Sequence, residues 1–210
     1  MLFIFALLFL LAACASQTPR VAYTPPPPPP DPHTQMDALE ARILTLVQEE
    51  RQKINPEAKV LALDSELVGV ARKRSADMAA KSYMAHAAPD GTTSTTLIMD
   101  QDADFQGLLA ENIAAQYYTP QMGVDVETFA KKFVRIWLDS PDHRRVLSTS
   151  IYDRTGVGAS VNGDEVFVVQ LFASNLGLPP PPREPPPKEP AARPTADAPP
   201  IPKARPDNGR

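Results

Sequence analysis

Six consecutive prolines, Pro25 to Pro30, set the first boundary in this chain. Proline has no backbone N–H and holds φ near −65°, so the run can join neither a helix interior nor a sheet ladder and must lie in polyproline II. The remaining prolines sharpen that boundary. Residues 1–33 hold eight of the chain's 25 prolines, residues 177–210 hold thirteen, and the 143 residues between hold four. One domain over residues 34–176 between two proline-rich arms follows. That middle is long enough for one hydrophobic core and too short for two. It carries 20 acidic and 14 basic side chains, so it offers no basic patch for nucleic acid. Cys14 is the only cysteine, which excludes a disulfide scaffold, a four-thiolate zinc site and a dithiol redox motif.

The N-terminus reads as an address. Residues 2–13 are unbroken apolar sequence, too short at ~1.5 Å per residue to span a bilayer as a helix and suited to a signal peptide over residues 1–13. No Lys or Arg precedes the run. Leu11-Ala12-Ala13-Cys14 resembles the lipobox of a bacterial lipoprotein, whose signal is cut before a cysteine that then carries lipid. On that resemblance Cys14 is the lipidation site and the route to a membrane. Residues 14–33 become a tether of about 60 Å at full extension, and the expected location is the cell envelope (outer membrane or periplasmic face) or secretion. Residues 177–210 are too poor in apolar residues to build a core and are expected to be disordered. Their proline segments could engage a proline-recognising partner, although a solvated spacer is the commoner use of such composition.

Within the domain, Thr34-Gln35-Met36-Asp37 opens a helix in which Leu39, Ile43, Leu46, Val47 and Ile54 recur at helical spacing, with Glu49, Glu50 and Arg51 facing away. Asn55-Pro56 ends it. Val60 to Leu63 is a short apolar connector. Asp64 caps a second helix with a narrow stripe of Leu67, Val70, Ala71, Ser75 and Met78. A third helix starts near Asp125, and Val126, Phe129, Ala130, Phe133, Val134 and Trp137 form its apolar face. It ends near Asp139, and Ser140 caps a short helix that has Pro141 at its first position. Asn162-Gly163 predicts a two-residue hairpin turn pairing Ala159 with Val166, Gly158 with Phe167 and Gly156 with Val169. Gly156 and Gly158 then leave room for larger residues on the opposite strand. The second strand is apolar on both faces, which places helices on both sides of the sheet. The fold class is α+β, with three or four helices sandwiching a small antiparallel sheet in three layers.

Three histidines exist. His33 lies in the tether. His86 follows the second helix, before the turn signal Pro89-Asp90-Gly91. His143 opens the short helix, where the helix dipole disfavours the imidazolium form. Glu111 sits in the apolar stretch Leu109 to Ala114, where a carboxylate needs a partner. Spacings of 25 and 32 residues make no local metal motif, so by spacing alone these three are more often unrelated polar residues than a zinc site. No serine or cysteine nucleophile is indicated: Gly158-Ala159-Ser160-Val161-Asn162 lacks the last glycine of a nucleophile elbow. No catalytic residue is assigned.

The order of several short segments resembles the CAP superfamily, which groups cysteine-rich secretory proteins, antigen 5, plant pathogenesis-related proteins and bacterial SCP-like relatives. The matching pieces are Leu61 to Leu67, Ala71 through His86, Glu111-Asn112-Ile113, Trp137 to Arg144, Thr155 to Gly158 and Val169 to Phe172, over roughly residues 40–174. The resemblance implies an α-β-α sandwich and a cleft with two histidines and two acidic residues, in some members a divalent-metal site. His86, Glu111 and His143 match three of the four, which makes them the ligand-binding candidates and the candidate holders of a divalent cation such as zinc. The fourth position is Ser140, where eukaryotic members have glutamate. Asp139 and Asp142 flank it and could substitute.

The resulting expectation is a lipid-anchored envelope protein that binds a small apolar or envelope-derived ligand, such as a lipid or cell-wall component. A hydrolase of peptide or cell-wall bonds using the same trio is the alternative, and a structural spacer is a third. Binding ranks above the structural role, and both rank above an enzyme.

Overall fold

The computed structural model describes residues 25–175. The signal segment, Cys14 and the arm from residue 177 onward lie outside them. A 3-10 turn, Pro32–Gln35, leads into α1 (Met36–Ile54), followed by β1 (Ala62–Leu63), α2 (Ser65–Lys81), α3 (Ser94–Gln101), β2 (Gly107–Tyr117), α4 (Val126–Asp139), α5 (Pro141–Ser148), β3 (Arg154–Asn162) and β4 (Glu165–Asn175). The sheet order is β1-β3-β4-β2. β3 and β2 pair antiparallel to β4, while the two-residue β1, cut from the expected connector, pairs parallel to β3.

The helix starts follow the capping chemistry of the sequence. Asp64 accepts the Glu66 and Leu67 N–H groups, and Asp125 accepts that of Thr128. Ser140 occupies the expected junction of α4 and α5, but its side chain makes no capping bond, so Pro141 and the chain reversal set that helix start. Thr93 and Thr96 form a reciprocal capping box at α3, a helix the apolar periodicity does not reveal because it is eight residues long.

Alternation along β4 splits the core in two. Val166, Val168 and Phe172 face α1, α4 and α5 and pack with Leu39, Ile43, Phe133 and Trp137. Phe167, Val169 and Leu171 face α2 and α3 and pack with Leu67, Val70, Met78 and Leu97. The three-layer α-β-α sandwich is therefore as expected, with five α-helices among the described residues in place of three or four.

Three expectations are corrected. First, the hairpin loop is Gly163-Asp164, because Gly163 takes the positive φ (+60°) at the first loop position and Asn162 pairs with Glu165. The register shifts by two residues, to Ala159–Val168, Gly158–Val169 and Gly156–Leu171, and every side chain keeps its face. Second, the glycines of β3 make room for a helix, not for the neighbouring strand. A Cβ on Gly156 would lie 2.2 Å from the Leu67 carbonyl carbon, and one on Gly158 2.2 Å from that of Ala71. The α2 backbone rests directly on β3. Third, Arg51 does not face solvent. It is fully buried and donates to the main-chain carbonyls of Lys59 (3.3 Å), Leu147 (2.6 Å) and Tyr152 (2.8 Å), tying α1 to the connector, to α5 and to the approach to β3.

Beyond β1 the outer edge of β3 is shielded by Glu40 of α1, which accepts the Ala159 N–H at 2.9 Å and the Arg72 guanidinium. The proline run ends against the body: a Cβ on Gly123 (φ +63°) would fall 2.6 Å from Pro29 Cβ. Gly123 closes a turn onto Thr119, next to Tyr118, whose hydroxyl donates to Gly163 C=O at 2.7 Å. The proline run thus meets the domain at the hairpin end of the sheet.

Candidate functional site

Glu111 and Asn112 are neighbours on β2, so their side chains point to opposite faces of the sheet. Each one secures a different part of the site.

On the α2/α3 face, Glu111 Oε2 lies 2.7 Å from His86 Nδ1, and Oε1 accepts the Ser94 hydroxyl at 2.5 Å. The carboxylate buried in an apolar stretch has the partners its placement demands. Its side chain is 11% exposed, while that of His86 is 61% exposed. An ionised carboxylate accepts, so Nδ1 is the protonated nitrogen and Nε2 is left open, as a lone pair in the neutral ring. Ser94 was not foreseen; the Thr93-Ser94-Thr95-Thr96 helix start is the signal that could have found it.

His86 sits on a loop that doubles back along α2. Ser82 leaves the helix in the left-handed region (φ +52°), and Gly91 (φ +87°) turns the chain again before a single bridge joins Ala87 to Thr93. The loop is held from beneath by Arg74, a fully buried guanidinium that donates to the Tyr83 hydroxyl (2.7 Å) and to the carbonyls of Ala85 (2.8 Å) and His86 (3.1 Å). Tyr83 in turn donates to Asp77 at 2.6 Å.

On the opposite face, Asn112 Nδ2 donates to the His143 carbonyl at 3.2 Å and fixes the start of α5 against β2. The His143 imidazole is held below its ordinary value, first by burial and then by the charge of His86, with Asp142 opposing. The neutral ring expected from its helix N-terminus is therefore favoured, but desolvation is the leading cause. His143 Nδ1 is buried with no partner among the described residues. An orphaned N–H is the costlier choice there, which favours the proton on Nε2.

β2 thus gathers all three sequence candidates to one region: His86 bonds Glu111 directly, and His143 feels the charge of His86. The fourth family position offers no carboxylate to the trio. Ser140 is a junction residue, Asp139 bonds Arg135 at 2.9 Å and Asp142 bonds Arg145 at 2.7 Å. His33 lies apart, by the 3-10 turn. Both Glu111 oxygens are engaged, His143 favours a protonated Nε2, and among the described residues no three His, Cys, Asp or Glu side chains are placed to hold a metal ion. What the site offers is an open hollow of about 260 Å³ lined by His86, Ala87, Thr93, Ser94, Thr95, Leu109, Ala110 and Glu111.

No curated protein matches the chain. Among solved structures, an outer surface protein from Borrelia burgdorferi is 22% identical, covers 66% of this chain and 93% of its own, and superposes with a TM-score of 0.54. An extracellular protein containing a SCP domain from Bacillus anthracis is 28% identical over 72% of this chain, with a TM-score of 0.52; the match spans 45% of that protein's length. A family model, that of the cysteine-rich secretory protein family (CAP), matches residues 44–172, which hold His86, Glu111 and His143 and all four strands but the last residues of β4. This chain, with its α-β-α sandwich, belongs to the CAP family.

Proposed function

We propose that the chain is a cell-envelope binding module: Cys14 carries the lipid anchor, the prolines act as a spacer, and the His86–Glu111 cleft takes a small envelope-derived ligand without turning it over. The observation that carries this reading is the Ser94–Glu111–His86 series of hydrogen bonds. A carboxylate gripped by two donors holds the imidazole in place while its second nitrogen faces outward with no bond to spend. Ala87, Leu109 and Ala110 give the hollow an apolar wall, and Thr93, Ser94 and Thr95 a polar one, which suits a ligand with both characters. A location outside the cytoplasm is supported by the lipobox at Leu11 to Cys14 and by the extracellular and outer-surface descriptions of the two solved relatives. Among the described residues, no helix is long and apolar enough to cross a membrane.

The test is to titrate the full chain with soluble peptidoglycan fragments and, separately, with phospholipid vesicles. Glu111→Gln and His86→Ala should each weaken the observed binding about tenfold, a loss of ~1.4 kcal/mol, with the melting temperature nearly unchanged for the exposed His86. Equal binding by parent and variants, or no binding by either probe or by a peptide, overturns the reading. A carboxylate-backed imidazole also suits a general base, so a hydrolase is the second reading. Turnover of peptidoglycan lost in Glu111→Gln and His143→Ala would favour it. Ser94 would not be its nucleophile, because that hydroxyl is directed to Glu111 and not to His86.

A further inference from the structure

The phase of the β2 ladder decides which main-chain groups are available beside the hollow. Tyr118 N–H donates to Asp164 C=O at 2.9 Å, so 118–164 is a hydrogen-bonded pair. Bonded and non-bonded pairs alternate in an antiparallel ladder, and the register of β2 on β4 is unbroken from Gly107 to Tyr117. Odd-numbered residues of β2 therefore turn their N–H and C=O groups away from β4, toward the free edge of the last strand in the sheet. Two side chains confirm the phase: Trp137 Nε1 donates to Ile113 C=O at 3.2 Å and Gln116 Nε2 to Ala115 C=O at 2.7 Å.

The edge is thus covered over its second half, where Asn112, Ile113 and Ala114 are buried, and open over Gly107 to Glu111, which are exposed or half-buried. Among the described residues, nothing bonds the outward N–H and C=O groups of Leu109 and Glu111. The same two residues line the hollow with His86.

We propose that this cleft binds an extended peptide segment of another protein, which adds to β2 as a further strand through the main chain of Leu109 and Glu111 and places one basic side chain in the hollow. The inference rests on the binding-module reading and names its ligand class. Outward groups on Leu109 and Glu111 repeat every two residues, about 6.6 Å, a spacing that an extended polypeptide matches along its whole length. A hollow of about 260 Å³ accommodates a single side chain. Charge selects its type: Glu111 is the one carboxylate in the lining and no Lys or Arg accompanies it. The chain's own proline-rich arms, short of N–H groups, are poor strand partners.

The experiment uses the full, isotope-labelled chain in detergent and three probes. These are an acetylated, amidated Thr-Val-Lys-Val-Thr peptide and two copies of it, N-methylated on alternate residues in the two opposite phases. The expected result is binding of the parent peptide and of one methylated copy, a loss of about tenfold or more for the other, and slowed exchange of the Leu109 and Glu111 amides. Glu111→Gln should weaken the parent peptide by a similar factor. Equal binding of all three peptides, or binding without amide protection, overturns strand addition and leaves the binding-module reading standing. Strand addition is equally overturned, and binding retained, if the peptide fails while peptidoglycan fragments or vesicles perturb the His86 resonances. If no probe perturbs His86, both readings fall.

Discussion

Arg74, buried within α2, donates through Nη2 to the main-chain carbonyl of His86 at 3.1 Å. The placement of the His86 imidazole therefore depends on a residue that bonds only its main chain. Arg74→Met should leave the Tyr83, Ala85 and His86 acceptors without their donor and cost about 2–4 kcal/mol in urea denaturation. Under conditions where the variant is still folded, ligand affinity at His86 should also fall. Unaltered affinity would show that the loop holds its shape without Arg74.

Two glycines near or on α2 should respond oppositely to one methyl group. A Cβ on Gly158 would meet the α2 backbone at 2.2 Å, so Gly158→Ala should lose about 2 kcal/mol or more. Nothing lies within 4 Å of a Cβ on Gly69, inside α2, and Gly69→Ala should gain about 0.5–1 kcal/mol through helix propensity. Thermal melts of the pair check both signs.

Arg51→Met should be among the most damaging single changes. It would strand the carbonyls of Lys59, Leu147 and Tyr152, two of them bonded at under 3 Å, and cost about 3 kcal/mol or more by chemical denaturation. Burial already pushes this guanidinium below its ordinary value. A loss under about 1 kcal/mol would mean those carbonyls find other donors.

Acid should weaken the fold in two separable windows. Burial and then the His86 charge hold His143 below its ordinary 6.5, so below that pH the folded state binds fewer protons than the unfolded chain. Stability is fully present above 6.5, falls as pH drops through it, and levels off once the folded ring is protonated too. His143→Asn should flatten this step. Glu127 is held at about 2 by hydrogen bonds from Arg42 and then Lys131. Its contribution is complete above 4.5 and disappears between there and about 2, a step that Glu127→Gln should remove. Melting temperatures from pH 8 to 2.5 resolve the two. Equal slopes in parent and His143→Asn would refute the first.

Much of this molecule is legible in its sequence where one periodicity dominates. α4 is read from Val126 to Trp137 because a single apolar stripe faces a single core. The rest was hidden for identifiable reasons. β2 escapes notice as a strand because Glu111, Asn112 and Gln116 interrupt it, and the first two serve neighbours far away in the chain. Arg51 looks like a solvent-facing charge, since carbonyls from three other segments, invisible in a local pattern, make its burial tolerable. His86, Glu111 and His143 carry no spacing signal of their own, and only the family resemblance joined them. Ser94 and Arg74 were missed because their roles arise from how α2, α3 and β2 stack.

The contact between Pro29 and Gly123 sets the proline run beside Tyr118, while Glu111 lies six residues, or ~20 Å, back along the same strand from Tyr117. The proline run and the hollow are thus set apart along one strand. On the proposal that Cys14 anchors the chain, the pull would enter the domain at Gly123, away from the hollow.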